Sequence, residues 1–145
     1  MKAIYAESSF LVSLILSDSN TEQALRLAES LVRPLAFNLL LRLEAINAIR
    51  LRVSAGDIDE NTAAQCEGKI ADLLNRGILR ITEPDWENVM HRAIGFSRAH
   101  TSSKRTRAFD VLHVAAAVET GASEFWSFDK RQRSLAGEVG LRVNP

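Results

Sequence analysis

A chain of 145 residues is the size of one domain and can bury roughly 70% of the surface its unfolded form exposes, so a single domain over residues 1–145 is expected. Its 18 basic and 18 acidic residues cancel, so the overall charge neither implies nor excludes a nucleic-acid ligand. The single cysteine, Cys66, excludes an internal disulfide and a cysteine-based zinc site, and no run approaches the roughly 20 apolar residues that a bilayer span needs.

The apolar start at residues 1–6 is broken by Glu7, Ser8 and Ser9, which is not the layout of a secretory signal; a cytoplasmic protein with no membrane partner is expected. Residues 2–6, "KAIYA", read as a first strand, followed by the helix "SSFLVSLILS" with Ser8 or Ser9 as its cap. After Asp18-Ser19-Asn20, "TEQALRLAESLV" carries Ala24, Leu27, Ala28 and Leu31 at helical spacing, and Pro34 marks the exit. "PLAF" is a second strand. Asn38 then caps the helix "LLLRLEAINAIRLRVSAG", and a turn at Gly56-Asp57 joins it to the helix "DENTAAQCEGKIADLLNRG", making a helical hairpin over residues 38–77.

"ILRI" at 78–81 is a third strand. Pro84 and Asp85 start the helix "PDWENVMHRAIGFSRAH", and "TSSKR" reads as a polar, basic loop. A helix from Thr106, "TRAFDVLHVAAAVETG", ends at Gly121; "EFWSF" is a fourth strand, "DKRQRSLAGEV" a short helix and "LRV" a last strand. Strands alternating with helices predict an α/β fold, with a central, mainly parallel sheet of four to five strands covered on both faces.

In such sheets ligands bind at the carboxyl ends of the strands, which singles out four acids. Glu7 follows the first strand, Glu44 lies early in the helix after the second, Asp110 lies one turn into "RAFDVLHVAAA", and Asp129 follows the fourth strand in "WSFDKRQ". Each has a structural explanation as well. Asp129 can cap the next helix, Glu7 and Asp110 can favour helix N-termini, and Glu44 can pair with Arg42 or Arg50. Asp110 resists such an explanation most, because a charge buried in an apolar run without a partner costs several kcal/mol. Carboxylates gathered at one place repel unless a cation shares the site, and an all-oxygen donor set suits Mg²⁺ or Mn²⁺. The chemistry such an ion serves is often phosphoryl transfer, so phosphodiester hydrolysis is the expected reaction.

Together, "YAESSFLVSLIL", "LLLRLEAINAIRLR", "RAFDVLHVAAA" and "WSFDKRQ", in this order and spanning nearly the whole chain, resemble a PIN-domain ribonuclease of the VapC toxin type. The resemblance implies a three-layer α/β/α fold and a metal-dependent endoribonuclease acting as the toxin of a type II toxin–antitoxin pair. It also implies that Glu7, Glu44, Asp110 and Asp129 bind Mg²⁺ or Mn²⁺ as the catalytic set. Ser9 and Ser127 match hydroxyls that support the acids, and His113, three residues after Asp110, lies where it can orient a neighbouring group. The first acid in this family is normally aspartate. Glu7 adds a methylene, which opens an alternative reading: an attenuated or inactive PIN domain that binds RNA or antitoxin with little cleavage.

Lys104, Arg105 and Arg107 just before Asp110, and Lys130 and Arg131 just after Asp129, are the candidate RNA contacts. The apolar excess of the 38–77 hairpin, including Leu39, Leu40, Ile46, Ile49, Leu73 and Leu74, suggests core plus a groove for an antitoxin helix. Homodimerisation is a further expectation of the resemblance. A small-molecule phosphatase ranks last, since no Asp-x-Asp motif stands near the first strand.

Overall fold

In the computed structural model, which describes residues 2–145, five three-residue strands form the sheet: β1 (Ile4–Ala6), β2 (Leu35–Phe37), β3 (Leu79–Ile81), β4 (Glu124–Trp126) and β5 (Arg142–Asn144). Met1, the first residue of the domain expected over 1–145, lies outside the described residues. All strands pair in parallel, in the order β3-β2-β1-β4-β5. Every residue of β1 and β2 is buried, as strands covered on both faces must be.

Two helical layers provide that cover, so the architecture is three-layer α/β/α with a five-stranded parallel sheet. One layer is α1 (Ser8–Ile15), α2 (Thr21–Glu29), α3 (Leu39–Ser54) and α4 (Glu60–Asn75), which pack on one another. The other holds α5 (Trp86–Phe96), α6 (Ser102–Lys104), α7 (Ala108–Glu119) and α8 (Lys130–Glu138). Tyr5 stacks on Phe125 at 5.8 Å, and Phe10 meets Trp126 edge-on at 5.2 Å; both contacts tie β1–α1 to β4.

The hairpin α3–α4 forms as its glycines predict. Gly56, at φ 76°, lets its own N–H reach Val53 O and the Asp57 N–H reach Arg52 O, closing α3 by a Schellman motif. Gly77 does the same for α4. Leu40 and Ile49 enter the core, while Leu39 stays exposed.

Three local expectations change. The cap of α1 is Glu7, whose side chain accepts the Ser9 N–H, rather than Ser8 or Ser9. Asp85 caps α5 by accepting the Asn88 N–H, which leaves Pro84 just ahead of the cap. The segment "TSSKR" is helical rather than a loop. After α5 the chain takes a π-helical turn, Ser97–Thr101, and continues into α6 before Arg105 stops it in the left-handed region at φ 55°. No glycine or proline interrupts residues 97–107, and Ser103 Oγ bonds back to His100 O, so the hydroxyls fit the helix rather than break it.

Candidate active site

The order β3-β2-β1-β4-β5 makes β1 and β4 the topological switch point. The chain leaves β1 towards β2 and β3, then crosses over to β4 and β5, which opens a crevice beyond the carboxyl ends of β1 and β4. The register Ala6↔Trp126 brings Glu7 and Ser127 out of the sheet side by side, and the Glu7 N–H donates to Trp126 O at 3.0 Å.

Glu7 is 2% exposed. Its Oε1 accepts the Ser9 N–H at 2.9 Å and a short bond from Ser9 Oγ–H. Ser9 Oγ in turn accepts the Phe128 N–H at 3.0 Å, which pins the turn after β1 to the loop after β4. Burial pushes the Glu7 carboxyl above the ordinary carboxylate value, against the opposing pull of Ser9 and His113.

Glu44 takes neither Arg42 nor Arg50. Arg42 lies over the Phe37 ring, Arg50 pairs with Glu60, and Glu44 Oε1 meets His113 Nε2 at 2.5 Å. Burial pushes the Glu44 carboxyl up, but the His113 imidazole and the Ser8 hydroxyl outweigh it and hold the carboxyl below its ordinary value.

Asp110, buried in its apolar run, has the compensation that its burial demands. Its Oδ2 accepts the Arg107 N–H at 2.8 Å, and its Oδ1 accepts Gln132 Nε2–H at 3.0 Å. Asp129 caps α8, accepting the N–H groups of Arg131 and Gln132 at 2.9 and 3.1 Å, while its own N–H donates to Ser127 Oγ at 2.9 Å. Gln132 therefore joins Asp110, Asp129 and Ser127, and its Oε1 lies 3.5 Å from Ser127 Oγ.

A profile of the PIN domain family matches residues 4–138, nearly the whole chain. The chain belongs to the PIN domain family. No curated protein sequence matches it. Among solved structures, the PIN domain here is similar to VapC20 of Mycobacterium tuberculosis, a sarcin–ricin loop cleaving toxin. The TM-score is 0.68 at 17% identity, covering 99% of this chain and 100% of that one. It is also similar to FitAcB from Neisseria gonorrhoeae, with a TM-score of 0.56 at 14% identity, covering 98% of this chain and 96% of that one. At these identities the likeness is one of fold.

Within this PIN domain the carboxylates are turned towards protein donors. Among the described residues no three Asp, Glu, His or Cys side chains stand close enough to form a metal cluster. The donor set nonetheless fits a hard cation in its chemistry. Glu7, Glu44, Asp110 and Asp129 supply oxygen alone, and Mg²⁺ keeps several waters while binding one or two carboxylates directly.

Of the candidate RNA contacts, Arg105, Arg107, Lys130 and Arg131 are exposed. Lys104 is committed elsewhere: its Nζ donates to Ser134 Oγ at 2.9 Å and lies 3.9 Å from Glu138. Sequence reasoning missed Gln132, although Asp129-x-x-Gln132 has the spacing of a capping box. It also took Asn38 for a cap alone and Tyr5 for a strand residue.

Proposed function

We propose that this PIN domain is a metal-dependent endoribonuclease, hydrolysing RNA phosphodiester bonds as the toxin of a type II toxin–antitoxin pair. The observation that supports the reading is a PIN-family match over residues 4–138 together with hydrogen bonds that link Glu7 through Ser9 to the loop after β4, Asp110 through Gln132 to Asp129, and Glu44 through His113 to Ser8. In this role those four residues hold Mg²⁺ or Mn²⁺ and position the attacking water. The ion, when bound, activates that water and stabilises the charge developing on phosphate. Arg105, Arg107, Lys130 and Arg131, exposed on either side of the crevice, contact the RNA backbone and contribute affinity with little sequence information.

The partner reading has its own support. Leu39, Leu43 and Leu51 are exposed on α3, and a hollow of about 320 Å³ beside Glu44 is lined by Ser8, Ser9, Val12, Asn47, Ala48 and Leu51. An amphipathic antitoxin helix laid there would cover the leucines and reach the acids. Homodimer assembly and a cytoplasmic location belong to the same proposal.

The test is cleavage of total cellular RNA with Mg²⁺, Mn²⁺ or chelator. Cleavage is expected with metal, and Asp110→Asn, which keeps an acceptor for the Arg107 N–H, is expected to abolish it while leaving the protein folded. Equal cleavage by that variant would overturn the assignment.

The burial of Glu7 favours a second reading, in which cleavage is attenuated. The longer side chain folds back onto Ser9 and caps α1 rather than extending into the crevice. A large rise in metal-dependent cleavage by Glu7→Asp supports attenuation; unchanged activity shows the glutamate to be competent.

A further inference from the structure

The buried polar groups behind Glu44 form a chain whose direction is fixed at one end. The Leu41 backbone N–H can only donate, and Asn38 Oδ1 accepts it at 2.9 Å. That choice of amide oxygen leaves Asn38 Nδ2 as the donor to the Tyr5 hydroxyl oxygen at 3.3 Å. With its oxygen accepting from Asn38, the Tyr5 O–H proton is free to point at His113 Nδ1, 3.0 Å away. Nδ1 then presents a lone pair, so the ring proton sits on Nε2, which faces Glu44 Oε1 at 2.5 Å and Ser8 Oγ at 3.3 Å.

Every donor in this chain has an acceptor. Tyr5, His113 and Asn38 are 0%, 1% and 2% exposed, and no buried side-chain polar atom among the described residues lacks a partner. The opposite direction fails this count. With a proton on Nδ1, the Tyr5 oxygen would receive two hydrogen bonds, and its own proton would have no acceptor.

We propose that Asn38, Tyr5 and His113 are positioning residues: a one-way relay, set by the N-cap of α3, that presents an Nε2–H to Glu44 and holds its carboxylate at the crevice. The relay leaves α3 at Asn38, passes through β1 and α7, and returns to the same helix at Glu44. It thereby ties together the elements that carry Glu7, Glu44 and Asp110. The effect on cleavage rests on the nuclease reading; the tautomer does not.

The test is long-range ¹H–¹⁵N NMR of the His113 ring, recorded without metal or RNA. The wild type is expected to show Nε2 protonated and Nδ1 bare; a proton on Nδ1 overturns the relay. In Asn38→Asp the carboxylate still accepts the Leu41 N–H but cannot donate to Tyr5, so the Tyr5 proton turns to residue 38 and Nδ1 gains a proton. An unchanged tautomer in that variant also overturns the proposal. Tyr5→Phe serves as the second variant: Nδ1 loses its donor, so its ¹⁵N resonance is expected to move to that of an unbonded ring nitrogen while Nε2 keeps its proton for Glu44, and an unmoved Nδ1 resonance also overturns the relay. For RNA cleavage, Asn38→Asp is expected to lower kcat tenfold or more at unchanged KM. Wild-type protein that cleaves no RNA while keeping the Nε2–H tautomer would refute the nuclease reading and leave the relay standing.

Discussion

Gln132 is the residue that turns three separate groups into one arrangement, because its side-chain N–H holds Asp110 while its backbone N–H holds Asp129. Gln132→Leu keeps much of the volume but leaves Asp110 Oδ1 without its donor. A loss of about 1–3 kcal/mol is expected in urea unfolding, the cost of stranding a buried acceptor. Glu7 carries a different signature. A carboxyl with a raised folded pKa binds its proton more readily folded than unfolded, so stability falls as pH rises from the ordinary carboxylate value to the raised one, and the loss persists above it. With chelator present, Glu7→Gln is therefore expected to be more stable than wild type at neutral pH, with the gain vanishing on acidification below the ordinary carboxylate value. Thermal melts across that pH range check the sign. The four acids stand out in the sequence because a charge beside an apolar run is conspicuous. Their donors do not, because a glutamine in "DKRQ" or a tyrosine in "KAIYA" looks the same whether it faces solvent or a carboxylate.

At the scale of elements, what the sequence makes legible is what its punctuation marks. Gly56 and Gly77 end α3 and α4 where left-handed backbone is needed, and Asn38, Asp59 and Asp85 start helices by accepting an N–H three residues on. Asp59→Ala is expected to cost about 1 kcal/mol in chemical denaturation, as loss of an N-cap does, with little effect at the distant crevice. Unpunctuated stretches mislead. Residues 101–105 have no breaker, and their hydroxyl-rich composition suggests a loop, although serine and threonine satisfy themselves on helical carbonyls. Strand ends read too long for a related reason. "EFWSF" carries three aromatic residues in five, but the Phe128 N–H leaves the sheet for Ser9 Oγ, a partner 119 residues away that no local pattern reveals.

For the whole molecule, net neutrality conceals an uneven surface. Arg105, Arg107, Lys130 and Arg131 are exposed and stand close to Asp110 or Asp129 in the chain. If these residues meet phosphate, replacing Lys130 and Arg131 with alanine weakens binding to all RNAs alike and lowers the salt slope of log Kd by about 1 for each phosphate left without its cation. An equal slope in the double variant, read by fluorescence anisotropy at several salt concentrations, places the RNA elsewhere. The parallel topology is readable from the alternation of strands and helices. The strand order is not, because it follows from crossovers that local sequence does not encode.

That order also sets a timetable. The bond from the Phe128 N–H to Ser9 Oγ joins parts of the crevice 119 residues apart, an interval of roughly 6–24 s at a synthesis rate of about 5–20 residues per second. Glu7, Glu44 and Asp110 all leave the ribosome before the strand that completes their surroundings. Pairings of such long sequence separation carry their loop-closure cost before they return any stability, so they form late in folding. Any activity at this crevice is thereby withheld from the nascent chain and conferred by the last steps of its folding.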